Sequence, residues 1–172
     1  MAFLLLFPFF LLRFGLLSLL SREAVARAAR FAPLKEGERW AYWVYQASNA
    51  ALLMGVLFSR VRSSPPWLFF TAAVVCGVGL LLLALSVVGF ASPAPSGMSG
   101  NGLYRFSRNP MYVAYFVFFL GSALLAQSVP LLLFLAAFQL SAHWIILAEE
   151  RWCLEKFGPE YRLYCARVRR YL

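Results

Sequence analysis

The sequence predicts an all-α polytopic membrane protein of about five transmembrane helices, with a C-terminal amphipathic helical tail in the cytosol. The 172-residue chain is 62% hydrophobic and only 13% charged, whereas a soluble domain is about 45–50% apolar and about 25% charged. Its apolar residues also form runs long enough to cross a bilayer, which takes roughly 20 residues per helix. These observations exclude a disordered chain, a disulfide-rich secreted scaffold and a soluble globular enzyme.

Five apolar segments have the length of a helical span. The first three are predicted at residues 3–20, 40–58 and 67–90. The run 111–148 carries no formal charge and is too long for one span. It breaks at 127–130, because the proline there fits the first turn of a new helix but cannot continue an old one. We therefore expect a tight helical hairpin with arms of about 17 and 19 residues.

The first span contains Arg13 near its middle. A charge at that depth costs about 2.5–3.5 kcal/mol on insertion scales unless the side chain pairs or reaches the interface. A cleaved signal peptide is the competing interpretation, with the Ala-Arg-Ala segment 26–28 as a loose cleavage site. Because no basic stretch precedes the apolar run, we favour a retained helix.

The basic residues indicate the orientation of the chain. Thirteen of the 16 Lys and Arg residues fall in 21–39, in 91–110 or after 148, and only Arg60 and Arg62 lie in the loop on the opposite side. By the positive-inside rule, this predicts an integral membrane protein with its N-terminus outside and its C-terminus cytoplasmic. A net charge of +9 would suggest nucleic acid binding in a soluble chain. Here the charges follow the membrane faces, so we expect no nucleic acid partner.

A first group of candidate functional residues precedes the fourth span. Asn109 is a favourable N-cap and Pro110 a favourable first helical residue. Two tyrosines and two arginines lie beside them: Tyr104, Arg105, Arg108 and Tyr112. They could be ordinary interface aromatics and positive anchors. A helix N-terminus with two guanidinium groups also makes an anion site. Steps of four, seven and eleven from Arg108 place Tyr112, Tyr115 and Phe119 on one helical face.

A second group lies at the end of the fifth span. Gln139, His143 and Glu150 share one helical face. A lone histidine is more often an interhelical hydrogen-bonding group, but we include His143 among the candidate ligand-binding residues. Glu149 and Glu150 are adjacent acids in a basic environment, where they form either structural salt bridges or a clamp for a polar ligand. The sequence contains no metal-binding motif, so no metal is expected.

The C-terminal segment contains residues that predict the end of one helix and the start of another. Gly158 ends one helix and Pro159 starts the next. The second helix carries one stripe of Tyr161, Tyr164 and Val168, and its basic residues lie on other faces: Arg162, Arg169 and Arg170. By itself this pattern is typical of an interfacial helix on anionic lipid. In the third span, Gly77 and Gly79 lack the strand–helix context of a nucleotide loop, so they predict helix packing.

Taken together, the last 70 or so residues resemble the integral-membrane methyltransferases of the isoprenylcysteine carboxyl methyltransferase and phospholipid methyltransferase group. The match lies in Gly-x-Tyr-Arg-x-x-Arg-Asn-Pro-x-Tyr at 102–112, Glu-Glu-x-x-x-Leu at 149–154, Phe-Gly-x-x-Tyr-x-x-Tyr at 157–164 and Arg-Val-x-Arg at 167–170. The resemblance implies one integrated membrane domain, with helices 1–3 and a connector in 1–100 and a cofactor-binding hairpin and tail in 101–172.

The resemblance also implies a function. S-adenosylmethionine would bind on the cytosolic side, and its methyl group would pass to a lipophilic acceptor, either an isoprenylcysteine-like carboxylate or a phospholipid amine. The cofactor would contact Tyr104, Arg108, Asn109, Pro110, Tyr112, Glu150, Tyr161 and Tyr164. Arg105 and Glu149 would face the acceptor as the catalytic residues. Expected partners are membrane lipids and a lipophilic or lipidated acceptor.

Two other functions remain open at the level of sequence. Membrane sterol reductases that use NADPH share a similar Tyr-Gly…Tyr-Cys-x-x-Val ending, which makes a reductase of an isoprenoid or sterol-like lipid the second enzymatic hypothesis. A small membrane assembly or lipid-binding protein without activity is the third. The oligomeric state does not follow from the sequence.

Overall fold

A computed structural model describes residues 1–28 and 32–171 of the chain, and within these ranges it is helical, with no β-strand. Arg30, one of the thirteen basic residues assigned to the cytoplasmic side, lies outside the described residues. The helices are α1 Ala2–Leu20, α2 Arg22–Ala28, α3 Arg39–Phe58, α4 Pro66–Ala91, α5 Pro110–Ala126, α6 Val129–Phe157 and α7 Pro159–Arg167. The all-α class is therefore confirmed.

Each of the five predicted apolar segments forms a helix, but not every one meets the length and hydropathy of a membrane span. Within the described residues, three do: α1, α4 and α6. Helix α5 is apolar but has only 17 residues. Helix α3 has 20 residues and falls short in hydropathy, since it carries polar residues such as Gln46 and Asn49. A five-span topology thus remains a prediction.

The predicted break between α5 and α6 is confirmed. Gln127 ends α5 in the left-handed region at φ 48° and ψ 47°, and the hydroxyl of Ser128 caps α6 by accepting from the backbone N–H of Leu131. The turn is tight. The two arms of the hairpin, however, make most of their contacts with other helices rather than with each other, which differs from the packing that a hairpin suggests. Helix α5 packs mainly along α4, and α6 packs mainly along α3.

Two glycines explain why α4 and α5 come so close. A Cβ at Gly79 would lie 2.4 Å from the backbone N of Phe118, and one at Gly121 would lie 2.5 Å from the backbone N of Cys76. Small residues allow this backbone approach, which brings main-chain atoms into van der Waals contact. The packing role predicted for Gly79 is confirmed. The same role is wrong for Gly77, because a methyl group at that position would meet nothing within 4 Å.

The helices carry the chain back and forth between two ends of the bundle. At one end the backbone N of Ala2 donates to Ser59 O over 3.0 Å, and that of Arg62 donates to Leu125 O over 2.9 Å. At the other end Arg27 Nη2 donates to Phe90 O over 2.9 Å. Segments 21–28, 32–38, 91–109 and 149–171 meet there, and we call this the basic end. The predicted grouping of the basic segments is thus observed.

The C-terminal helix is shorter than its sequence pattern predicts. Helix α7 ends at Arg167, and Val168 is extended at φ −119° and ψ 132°. Val168 therefore does not lie on the helix with Tyr161 and Tyr164, which corrects the predicted stripe. Arg169 and Arg170 also lie beyond the helix end. The chain leaves the helix because Arg169 pairs with Ser107 in an isolated parallel bridge.

Candidate active site

A cavity of about 490 Å³ opens at the basic end, between α1, α5, α6 and α7 and the connector after α4. Its size is within the range of small-molecule sites, roughly 300–1,000 Å³. Eight of the eleven predicted site residues line it: Tyr104, Arg108, Asn109, Tyr112, Glu149, Glu150, Tyr161 and Tyr164. Two sequence segments about 40 residues apart therefore meet around one space.

Tyr104 reaches the cavity from a short 3₁₀ turn, Gly102–Arg105. The turn fits against α4 because residue 89 is glycine: a Cβ there would lie 2.8 Å from Asn101 O and 3.2 Å from the Tyr104 ring. Tyr164 Oη donates to Tyr104 O over 2.6 Å, which ties α7 to this turn. Burial raises the pKa of both phenols above the ordinary value, so each is a protonated donor at neutral pH.

Glu150 is the centre of an ionic cluster that joins both motifs to the tail. Arg170 donates to Glu150 Oε2 from Nε at 3.0 Å and from Nη2 at 2.9 Å. Arg108 Nε lies 3.5 Å from Glu150 Oε1. That nitrogen is buried and makes no hydrogen bond. Two guanidinium groups thus surround one carboxylate, and the cluster keeps an excess positive charge and an unused donor.

Asn109 occupies the N-cap position of α5 as predicted, but its side chain does not cap the helix. The amide Nδ2 donates instead to Glu150 Oε1 and to Arg170 O, each at 3.2 Å. The backbone N of Asn109 donates to Ser107 Oγ over 3.2 Å. The capping prediction is wrong in its chemistry, because a carboxylate and a tail carbonyl compete successfully for the amide.

Glu149 lies deeper, next to the aromatic residues of α5. Tyr112 Oη donates to Glu149 Oε1 over 2.9 Å. The ring of Tyr112 lies 6.3 Å from that of Tyr115, and Tyr115 Oη is buried without a hydrogen-bond partner. The predicted aromatic face is therefore partly a cavity wall, while Phe119, the last member of the stripe, packs in the core.

Three predicted site residues are not at the cavity. Arg105 is exposed and does not line it, so the structure does not bring this residue to the acceptor side. Pro110 is buried as the first residue of α5. His143 Nδ1 lies 2.7 Å from Tyr171 Oη, so this histidine contacts the non-helical tail, which is neither the interhelical contact nor the cofactor contact that the sequence suggested.

The sequence reasoning missed several residues that line the cavity, of which Arg13 is the most informative. Arg13 lies in a π-helical segment of α1, Leu11–Leu16, and single π-turns often occur at functional sites. Arg27 and Lys156 add two more cations to the lining. An arginine inside an apolar span is a functional signal by default, so Arg13 could have been identified from the sequence.

The lining suits an organic ligand with both charges and an aromatic ring. No group of three metal-ligating side chains occurs in 1–28 or 32–171. A ligand carboxylate could accept from the unused Nε of Arg108, and an ammonium group could approach Glu149. The rings of Tyr161 and Tyr164, 5.8 Å apart, offer faces on which a planar base could stack.

Comparison with known proteins agrees with this arrangement. Residues 85–160 match the family model described as phospholipid methyltransferase, which confirms the resemblance found in the sequence. The matched segment is less than half of the chain and contains nine of the eleven predicted site residues, all but Tyr161 and Tyr164. The match supports a membrane methyltransferase. No curated protein and no solved structure matches the chain.

Proposed function

We propose that this protein transfers a methyl group from S-adenosylmethionine to a lipophilic acceptor in the membrane. One observation carries the proposal: the 104–112 segment and the 149–164 segment, which hold the methyltransferase-like motifs, enclose a single cavity of about 490 Å³. The family match over 85–160 supports methyl transfer as the reaction class.

The cavity residues fit the parts of this cofactor. Arg108 Nε is buried and has no hydrogen-bond acceptor, so it can donate to the methionine carboxylate in a charge-assisted bond. Tyr161 and Tyr164 supply aromatic surface for the adenine. Glu150 is held by Arg170 and Asn109, so its main task is to position Arg108.

S-adenosylmethionine supplies, when bound, a sulfonium methyl group whose C–S electron pair stays on sulfur as a new bond forms to the acceptor. The residues of the chain act by holding the acceptor in line with that methyl group, which lowers the entropic part of the barrier. An amine acceptor must also lose a proton, and we assign its acceptance to Glu149, a carboxylate of the cavity lining whose Oε1 accepts from Tyr112. A carboxylate acceptor forms its ester with no proton to remove.

The acceptor would reach the cavity from the bilayer, and the cofactor from the cytosol. Helix α1, which is apolar enough to span a membrane, contributes Arg13 to the lining, so membrane-embedded surface borders the site. The basic end carries most of the positive charge, and the positive-inside rule assigns such an end to the cytoplasm.

The test is a thermal-stability titration of the purified full chain with S-adenosylhomocysteine and, separately, with NADPH. We expect stabilisation by S-adenosylhomocysteine alone, because a ligand that binds only the folded state raises its stability by mass action. Glu150→Gln should weaken this effect about tenfold, because it removes the charge that positions Arg108.

Arg162→Ala is the matched control, since Arg162 is an exposed cation of α7 outside the cavity lining. Stabilisation by NADPH with none from S-adenosylhomocysteine would overturn the proposal in favour of a reductase. No response to either ligand would overturn it in favour of a protein without this activity.

A further inference from the structure

Arg13 lines the cavity, and its guanidinium has few hydrogen-bond acceptors around it. Its guanidinium carbon lies 5.8 Å from the ring centroids of Phe14 and Tyr115. Its Nη1 has one polar contact, to Met111 Sδ at 3.9 Å, and a thioether is a weak acceptor. Within the described residues, no carboxylate oxygen lies within salt-bridge distance of Arg13, although Glu149 lines the same cavity.

Tyr115 presents a second unused donor at the same place. Its hydroxyl is buried and has no hydrogen-bond partner, and its ring is one of the two that Arg13 covers. A buried hydroxyl without a partner loses its hydrogen bonds to water and gains none in return, so such groups usually have a function or a ligand. Both residues line the cavity. The cavity is therefore lined by two neighbouring donor groups, the Arg13 guanidinium and the Tyr115 hydroxyl, that lack a good acceptor.

We propose that Arg13 and Tyr115 form the seat for an acidic group, a carboxylate or a phosphate, on the lipophilic methyl acceptor. This inference rests on the proposed methyl transfer and specifies its acceptor class. A planar guanidinium has five N–H donors and binds either oxyanion in a charge-assisted way. The phenol hydroxyl would donate to a second oxygen of the same group.

Cation–π contact does not explain the arrangement on its own. Two rings at 5.8 Å are near the outer limit of about 6 Å for this interaction, and neither ring supplies a hydrogen-bond acceptor of the kind that a guanidinium N–H prefers. A charge within an apolar helix is expensive unless its donors are used. An acidic headgroup would use them, and its apolar tail could remain in the bilayer beside α1.

The position of the seat also separates it from the ionic cluster at Glu150. Arg13 is contributed by α1, whereas Arg108, Glu150 and Arg170 form their own cluster at the 108–109 segment and the tail. Removal of Arg13 therefore leaves the proposed cofactor contacts in place. This separation makes the two proposals independently testable.

The experiment measures binding of four probes with the same tail, dodecanoate, dodecyl phosphate, dodecylamine and dodecanol, to the purified full chain in detergent. Thermal stabilisation is the readout for each probe and, separately, for S-adenosylhomocysteine. The variants are Arg13→Leu, which removes a charge from an apolar helix and so favours insertion, and Tyr115→Phe, which removes only the hydroxyl. Arg22→Leu is the control, because Arg22 is the next arginine along the chain, is exposed and does not line the cavity.

We expect one or both anionic probes to bind more tightly than dodecylamine and dodecanol. Arg13→Leu should weaken the anionic probe about tenfold to a hundredfold, and Tyr115→Phe about tenfold, by the value of a hydrogen bond to a charged group. Which of dodecanoate and dodecyl phosphate binds better identifies the acidic group. Arg22→Leu should change nothing.

Equal binding of dodecylamine, or anion binding that survives Arg13→Leu, would overturn the seat. Failure of S-adenosylhomocysteine to bind the wild-type chain would instead overturn the methyltransferase proposal. If S-adenosylhomocysteine binds wild type and Arg13→Leu equally while the anionic probe binds only wild type, both proposals are supported.

Discussion

Arg170 donates two hydrogen bonds to one oxygen of Glu150, from Nε at 3.0 Å and from Nη2 at 2.9 Å. The carboxylate raises the pKa of Arg170 further above its already high ordinary value, so the guanidinium stays charged at any physiological pH. Arg108 N also donates to Arg169 O over 2.9 Å. The C-terminal residues are thus fastened onto both motifs beside the site, although none of residues 168–171 lines the cavity itself.

Loss of the Arg170–Glu150 contacts should loosen the C-terminal tail and weaken cofactor binding. We expect Arg170→Gln to weaken S-adenosylhomocysteine binding about tenfold, because Arg170 holds the carboxylate that positions Arg108. The tail should also become more accessible to limited proteolysis between 165 and 171, which is a readout that a purely local effect on the cofactor would not change. Arg167→Gln is the control, since Arg167 is exposed at the end of α7. Unchanged affinity and unchanged proteolysis would contradict the fastening.

The close approach of α4 and α5 predicts a sharp contrast between two nearby glycines. Gly79→Ala places a methyl group 2.4 Å from a backbone nitrogen, so we expect a loss of about 1–3 kcal/mol, as for overpacking a tight core. Gly77→Ala meets nothing within 4 Å and should be neutral or slightly stabilising. Thermal unfolding in detergent compares the two. Equal effects would show that this helix contact is not as tight as described.

The ion pair between Glu38 and Arg151 predicts a modest acid sensitivity at the basic end. The hydrogen bond from Arg151 holds the pKa of Glu38 below its ordinary value of 4.5. The ion pair therefore adds its full stabilisation of the folded state above about pH 4.5. This stabilisation disappears as the pH falls through the lowered pKa of Glu38. A partly exposed pair is worth about 1 kcal/mol or less.

Glu38→Gln should thus lower the unfolding temperature slightly at about pH 7, and this deficit should shrink progressively as the pH falls below the ordinary carboxyl pKa of 4.5. A deficit in unfolding temperature that does not change with pH would mean that Glu38→Gln disrupts packing rather than an ion pair.

The topology can be tested with reporter fusions at Arg62 and after Tyr171. These positions lie at opposite ends of the helical bundle, since Arg62 N donates to Leu125 O and Tyr171 Oη contacts His143 near the basic end. Five spans place the two reporters on opposite sides of the membrane, with the C-terminal one in the cytoplasm. Reporters on the same side would remove α5 from the list of spans, because α4, α5 and α6 lie between the two positions and α5 is the one of these three that is too short to count as a span.

Much of the fold follows from local sequence signals. The apolar runs predict the positions of α1, α3 and α4, and the break at 127–130 is read directly from a proline beside polar residues. The charge distribution predicts which segments share an end. These features depend on hydrophobic length, backbone chemistry and net charge, each of which is a property of a few neighbouring residues.

The sequence by itself also determined which two segments meet at the cavity, because residue types at fixed spacing pick out eight of its lining residues. Only the tertiary structure decided that Arg105 and His143 lie outside the cavity and that Arg13 lies within it. The tertiary structure also decided the partners of the Asn109 side-chain amide, which donates to Glu150 Oε1 and to Arg170 O instead of capping α5. The physical reason is that a side chain's partner depends on helix packing across the bundle. That packing is set here by contacts such as Gly79 against Phe118, which no local pattern encodes.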